Sequence, residues 1–174
     1  LTNHGADGTV LESSSDLFNG LVPIGTTLQD CTISNNGGTG ASGFLYILGS
    51  FVGDNGGDGV VEAWQIRDST ISGNGGIGYR GTVLDPEYFT DNIICGNTEG
   101  ALEGTDPVEL LGFGNIILDG RCPDLIVPDD ADTIQLAIDT SIDGERIVVR
   151  PGEYTEPDID LLGRDIELLS SEGR

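Results

Sequence analysis

Short apolar clusters followed by Asn and Gly recur along the first two thirds of the chain. Thr32-Ile33 and Thr70-Ile71 are two of these clusters, and each is followed within a few positions by Asn and Gly. β-Branched residues favour strands, whereas Asn and Gly tolerate the left-handed backbone angles of tight turns. The pattern therefore predicts many short strands separated by sharp turns.

The clusters belong to an internal repeat. Residues 30–38 (Asp-Cys-Thr-Ile-Ser-Asn-Asn-Gly-Gly) recur at 68–76, and weaker copies begin at Asp91 and Asn115. The first two copies are 38 residues apart, and the later spacing is 23 residues. A period near 23 predicts one coil of a β-solenoid, with 38 as one coil plus an inserted loop. The alternative is that Asn-Gly marks hairpin turns of an antiparallel β-protein, but the constant register favours the solenoid.

Stacking of the coils predicts two columns of equivalent side chains. The apolar column points inward and consists of Ile33, Ile71, Ile94 and Ile117. The polar column is a ladder of side-chain amides, as in cross-β arrays, and consists of Asn36, Asn74 and Asn97.

The last third of the chain has a different pattern. Ile134, Ala137, Ile138 and Ile142 fall on one face of a short amphipathic helix. Asp132 is the predicted cap, with Gln135 three residues later as in a capping box, and a glycine at 144 is the predicted end. Strands are predicted at 146–150 and 165–169.

These motifs resemble a known family. The Thr-Ile-Ser-x-Asn-x-Gly units, and the stretch from Cys95 to Cys122, resemble coils of right-handed parallel β-helix repeat proteins of the pectate-lyase-like superfamily, secreted bacterial type. Residues 133–154 (Thr-Ile-Gln-x-Ala-Ile-Asp, then Ile-Val-Val-x-Pro-Gly-x-Tyr) are similar to the opening of that family, where a helix plugs the first coil. The resemblance implies an all-β solenoid, a right-handed parallel β-helix with a short capping α-helix.

The order of these parts departs from the family pattern, because the opening module lies near the C-terminus. We expect β-helix coils at 1–122, with an inserted loop or strand pair around 40–65. We expect the cap helix and first-coil strands at 123–174. Three arrangements fit this order: one unit of a tandem array, a permuted monomer, or a cap that completes the next subunit.

The third arrangement is the one we predict, with self as the partner. The chain is then a secreted structural subunit that forms a head-to-tail homopolymer by donating its C-terminal cap and strands to the next copy. The residues predicted to dock are Ile134, Ala137, Ile138, Ile147, Val149, Ile166, Leu168, Val10 and Leu11.

Composition excludes several functional classes. The chain has 174 residues, of which 30 are acidic and 7 basic, for a formal charge of −23. Such a charge repels phosphate backbones and argues against nucleic acid as a partner. No apolar run reaches the ~20 residues of a membrane-spanning helix. The 37% hydrophobic share argues against disorder.

Calcium is the only cofactor that the sequence suggests, and none is required. Asp30, Asp68 and Asp91 occupy equivalent repeat positions, and Asp54 and Asp58 bracket an oxygen-rich loop. Stacked carboxylates repel unless a cation or hydrogen bonds intervene. The alternative is a solvated acidic surface.

Three cysteines indicate one disulfide and one buried thiol, with three free thiols as the alternative. Cys95 and Cys122 are 27 residues apart, close to one coil, so we predict that they are bridged. Cys31 is predicted to pack as a small apolar residue. A disulfide fits an oxidising compartment, so we expect a secreted, extracellular or cell-surface location.

Catalysis is not predicted, although the family resemblance includes polysaccharide lyases and hydrolases. Asp129-Asp130 precedes the cap helix and lies on no repeat strand, Arg67 and Arg80 are typical of surface ion pairs, and His4 lies in a presumed loop. A calcium-dependent polysaccharide-binding or polysaccharide-degrading β-helix is the alternative function, with polysaccharide as its partner. The aromatic residues of 40–59, with Trp64 nearby, predict either core packing or a lateral contact or ligand-binding surface.

Overall fold

The fold is described by a computed structural model that covers residues 2–3, 9–12, 27–110 and 112–171, with side chains for 27–43, 45–110 and 112–171. The chain divides into two compact units, Leu1–Arg121 and Cys122–Arg174. Each unit has its own hydrophobic core. They are described in turn.

Short strands make up the N-terminal unit, as the β-branched clusters predict. Those in its described residues are β1 (Thr2–Asn3), β2 (Thr9–Glu12), β3 (Thr27–Gln29), β4 (Cys31–Ser34), β5 (Ala41–Leu48), β6 (Phe51–Gly53), β7 (Val60–Arg67), β8 (Thr70–Ser72), β9 (Ile77–Arg80), β10 (Phe89–Thr90), β11 (Ile93–Cys95), β12 (Gly100–Glu103) and β13 (Ile116–Ile117). Two 3₁₀ turns, Pro86–Tyr88 and Pro107–Leu110, lie in the longer connections.

The strands form two sheets that the chain visits alternately. One sheet has the order β1-β2-β4-β6-β8-β11-β13, and the other has the order β3-β5-β7-β9-β12, with β10 also paired to β7. All pairs are parallel except β1 with β2, which is antiparallel. Neighbours in each sheet come from successive coils, so the unit is a parallel β-solenoid, as predicted.

The predicted insertion around residues 40–65 is wrong, because this segment belongs to the regular coils. Strand β6 pairs with β4 on one side and β8 on the other, which places Val52 in register between Ile33 and Ile71. The spacing of 38 residues is therefore two coils of 19 residues. Val52 and Phe51 replace Ile and Thr in this copy, which hides it in the sequence.

The apolar column forms the core of the solenoid. Ile33, Val52, Ile71 and Ile94 are fully buried and in register, and Ile117 packs against them while half-buried. Full burial of one such side chain contributes about 1.5–3 kcal/mol. The predicted column is confirmed, with Val52 added.

The C-terminal unit is a small parallel sheet with one helix. It contains β14 (Leu125–Val127), α1 (Ile134–Thr140), β15 (Arg146–Val149) and β16 (Glu167–Ser170). The sheet order is β14-β15-β16, and α1 packs against β14 and β15.

The ends of helix α1 differ from the prediction. Thr133, rather than Asp132, is the N-cap, and its hydroxyl accepts the Leu136 N–H at 3.1 Å. The other free N–H groups of the first turn, those of residues 134 and 135, are bound by the Glu156 carboxylate at 2.7 and 2.8 Å. A carboxylate at this end also interacts favourably with the helix dipole. The helix ends at Thr140, before the predicted glycine at 144, so Ile142 lies beyond the helix and is exposed.

Candidate functional site

The predicted amide ladder is confirmed and extended. Asn36, Asn55, Asn74 and Asn97 are buried and follow the same turn of four successive coils. Each of the first three donates both its backbone N–H and its side-chain N–H to the Oδ1 atom of the next, at 2.8 to 3.2 Å. The second side-chain N–H of Asn74 binds the Val52 carbonyl at 3.2 Å. The side-chain amides of Asn55 and Asn74 are thus bonded at both N–H groups and at the oxygen.

A second ladder, not predicted, follows the other turn of the coils. The Ser50 N–H donates to Ser69 Oγ, the Ser69 N–H to Asn92 Oδ1, and the Asn92 N–H to Asn115 Oδ1, at 3.0 to 3.1 Å. Two serines are followed by two asparagines along this column. Each residue of this second ladder lies two positions before a residue of the inward apolar column. That constant spacing could have indicated the ladder, but the change of residue type from Ser to Asn concealed it.

Three predicted calcium ligands lie in one column of turns. Asp30, Asp68 and Asp91 have φ values of 51°, 50° and 57°, in the left-handed region that Asp tolerates. Gly49 takes the same place in the intervening coil, where its N–H donates to the Arg67 carbonyl. Asp30 and Asp68 are therefore two coils apart rather than adjacent.

The other two predicted ligands lie elsewhere. Asp54 occupies the opposite turn, with a φ of 55°. Asp58 accepts from Arg80 at 2.8 Å and from the Ile77 N–H at 2.8 Å, and the hydrogen bond from Arg80 lowers its pKa. The five aspartates do not converge, and the described part of the chain contains no group of three or more His, Cys, Asp or Glu placed to hold a metal.

The cysteine predictions are confirmed. A disulfide joins Cys95 to Cys122. Cys31 is a free thiol and is buried at the start of β4.

Most residues predicted to dock on a neighbour instead build the core of the C-terminal unit. Ala137, Ile138 and Ile147 are buried together, and Ile134, Val149 and Ile166 pack against them. A helix of only seven residues is held in place by packing its apolar side chains against the sheet, so these side chains are needed within their own unit. The side chains of Val10 and Leu11 lie outside the described residues, although their backbone belongs to β2.

The exposed apolar side chains of the C-terminal unit are a different set. They are Leu136, Ile142, Ile159, Leu161, Leu162 and Leu168. Of the predicted docking residues with described side chains, Leu168 alone is exposed, at 39%. It lies on β16, which is an edge of the sheet within the described residues. The exposed set lies mainly in turns, where the sequence pattern has no periodicity to indicate it.

A cavity of about 100 Å³ lies on the side of the N-terminal unit. It is lined by Glu62, Ala63, Trp64, Thr82 and Leu84. The Trp64 side chain is 45% exposed, so the prediction of ordinary core packing is wrong for it.

The groups considered for catalysis are engaged in structural contacts. Asp129 pairs with Arg150 at 2.8 Å. Arg80 pairs with Asp58, and Arg67 donates to the Glu87 carbonyl at 2.6 Å. His4 lies outside the described residues.

Comparisons with protein-family models, curated proteins and solved structures gave no match. In the part of the chain that is described, the helices are too short or too polar to cross a bilayer. Function is therefore inferred from the geometry above.

Tyr79 makes the stability of the N-terminal unit sensitive to alkaline pH. Burial, aided by the nearby charge of Glu62, raises the pKa of its hydroxyl from 10.0 to about 12. The stabilisation is complete below pH 10 and is lost as the pH rises toward 12, because the unfolded state ionises first, at about 1.4 kcal/mol per pKa unit. We expect Tyr79→Phe to flatten this alkaline loss in urea unfolding, whereas Tyr46→Phe, an exposed control, does not. An equal slope in the native chain and Tyr79→Phe would contradict the assignment.

Proposed function

We propose that the chain is a structural β-solenoid subunit that associates end to end, with the C-terminal unit of one copy extending the N-terminal coil of the next. The observation that carries this proposal is that β16 has a strand neighbour on one side only, β15, within the described residues. Backbone N–H groups at residues 167 and 171 bond toward β15, at 2.9 Å in both cases. By strand alternation, the Leu168 N–H points away from β15 toward the open edge.

The partner edge is the first coil of the N-terminal unit. Strand β3 has no neighbour on its outer side within the described residues, and β2 is covered there only by β1. The β1 pairing involves two residues, Thr2 with Val10 and Asn3 with Thr9. A parallel match with the four residues of β16 provides more hydrogen bonds than this short antiparallel pair.

Apolar burial and charge set the conditions for association. The exposed apolar side chains of the C-terminal unit supply area that a partner would cover. The charge of −23 repels copies from one another at low ionic strength. We therefore expect association to increase with salt, because the Debye length falls to ~10 Å at 0.1 M.

Leu168→Pro tests the proposal. It removes the N–H that faces the open edge and leaves the bonds to β15, and proline is tolerated at such edge positions. We expect sedimentation and electron microscopy to show salt-dependent linear oligomers for the native chain and monomers for Leu168→Pro. Leu168→Val, which retains the N–H and an apolar side chain, should assemble. A native chain that stays monomeric at all salt concentrations, or Leu168→Pro oligomers like those of the native chain, would refute the proposal.

A further inference from the structure

The cavity beside Trp64 lies at an irregular part of β7. Against β5, Leu45 pairs with Ala63 and Tyr46 with Gln65, so the register shifts by one residue at Trp64. Such a bulge turns a side chain out of the sheet, and bulges are frequent beside binding sites. Glu62, two residues earlier, has a φ of 57°, which is uncommon for glutamate. The backbone thus turns both side chains into the cavity at a cost in local strain.

The opposite wall of the cavity is formed by a segment of the next coil that leaves the sheet. Strand β9 pairs with β7 up to Arg80, and β10 rejoins β7 at Ile66. Residues 81–88 leave the sheet between these points and supply Thr82 and Leu84 to the cavity. The excursion makes this coil longer than the regular coils of 19 residues.

The charge in the cavity has no counter-ion. The Glu62 carboxylate forms no hydrogen bond or ion pair within the described residues. Arg80 of β9 pairs with Asp58 and Glu103, and Arg67, at the end of β7, donates to the Glu87 carbonyl. The Glu62 carboxylate therefore remains available to a ligand.

We propose that this cavity binds an organic cation with an alkylammonium head group. The indole of Trp64 supplies a cation–π contact, Glu62 supplies the opposite charge, and Leu84, which is 76% exposed, covers the alkyl groups. The cavity of about 100 Å³ has the size of one small head group rather than of a sugar chain. The charge of −23 attracts cations and repels anionic polymers. The site lies wholly in the N-terminal unit and does not depend on end-to-end association.

The fluorescence of Trp64 measures binding directly, because it is the only tryptophan in the chain. Tetramethylammonium chloride is the probe, titrated at constant ionic strength with sodium chloride. We expect a saturable change in emission with tetramethylammonium and none with tert-butanol, an uncharged molecule of similar shape. Glu62→Gln keeps the size of the side chain and should weaken binding about tenfold. Glu109→Gln, at an exposed position of the same unit, is the matched control and should bind like the native chain.

Several results would overturn the proposal. One is an equal change in emission with tert-butanol and with tetramethylammonium, and another is unchanged binding of tetramethylammonium by Glu62→Gln. The third is a saturable change in emission with glucose and none with the cation. Trp64→Leu, followed by calorimetry, should also abolish binding. If that variant fails to fold, Glu62→Gln still decides the outcome, because it alters no packing volume.

Discussion

Asn74→Leu is expected to lower the free energy of unfolding of the N-terminal unit by about 4 kcal/mol. The Asn74 side chain is fully buried and accepts two hydrogen bonds from Asn55. It also donates to the Val52 carbonyl and to Asn97 Oδ1. Leucine removes the bonds to the two Asn55 N–H groups and the Val52 carbonyl, whereas Asn97 Oδ1 still accepts the backbone N–H of residue 74. Each group left unsatisfied in the interior costs about 1–3 kcal/mol, with partial relief by relaxation.

Urea unfolding followed by circular dichroism measures this loss. Asn35→Gly is the matched control, since Asn35 is exposed, bonds only the neighbouring Ser34 hydroxyl and has a φ of 60° that glycine accepts. We expect the control to change stability by no more than about 0.5 kcal/mol. Equal effects of the two substitutions would mean that the ladder contributes little.

Removing the disulfide has the next largest expected effect. The bond between Cys95 and Cys122 closes a loop of 27 residues, so the double change Cys95→Ser with Cys122→Ser should cost about 3.5 kcal/mol through the entropy of the unfolded chain. Thiol labelling in denaturant should detect one reactive cysteine before reduction and three after it.

Cys31→Ser is the control for the disulfide variant. Cys31 Sγ donates to the Gln29 carbonyl at 3.1 Å, a hydrogen bond that serine retains. We expect a change of about 1 kcal/mol or less. A double variant as stable as Cys31→Ser would contradict a stabilising role for the disulfide.

The predictable part of the fold was the part with repeated residue types. Ile33, Ile71 and Ile94 each have Asn three positions later, and in the first two copies Gly-Gly follows that Asn directly, so strand, turn and ladder followed from local chemistry. The coil containing Val52 and Asn55 was missed, because its strand residues differ although its Asn-Gly-Gly turn is the same. Turn residues therefore indicated the coils more reliably than strand residues did.

The functional features were harder to predict, because they depend on departures from the repeat. The outward position of Trp64 follows from a bulge between β5 and β7, and the pairing of two strands is not encoded in either alone. Likewise, the residues predicted to dock were chosen for apolar character. The same character buries Ala137 and Ile138 in their own unit.

The 19-residue spacing from Asn36 to Asn55 and from Asn55 to Asn74 has a consequence for modular engineering. Asn55 and Asn74 make the same bonds to the amide before and the amide after them in the ladder, so a tandem duplication of one such segment presents identical donors and acceptors at both seams. Insertion of a whole coil should thus lengthen the solenoid by roughly 4.8 Å. Insertion of fewer residues than a coil should misalign the amides.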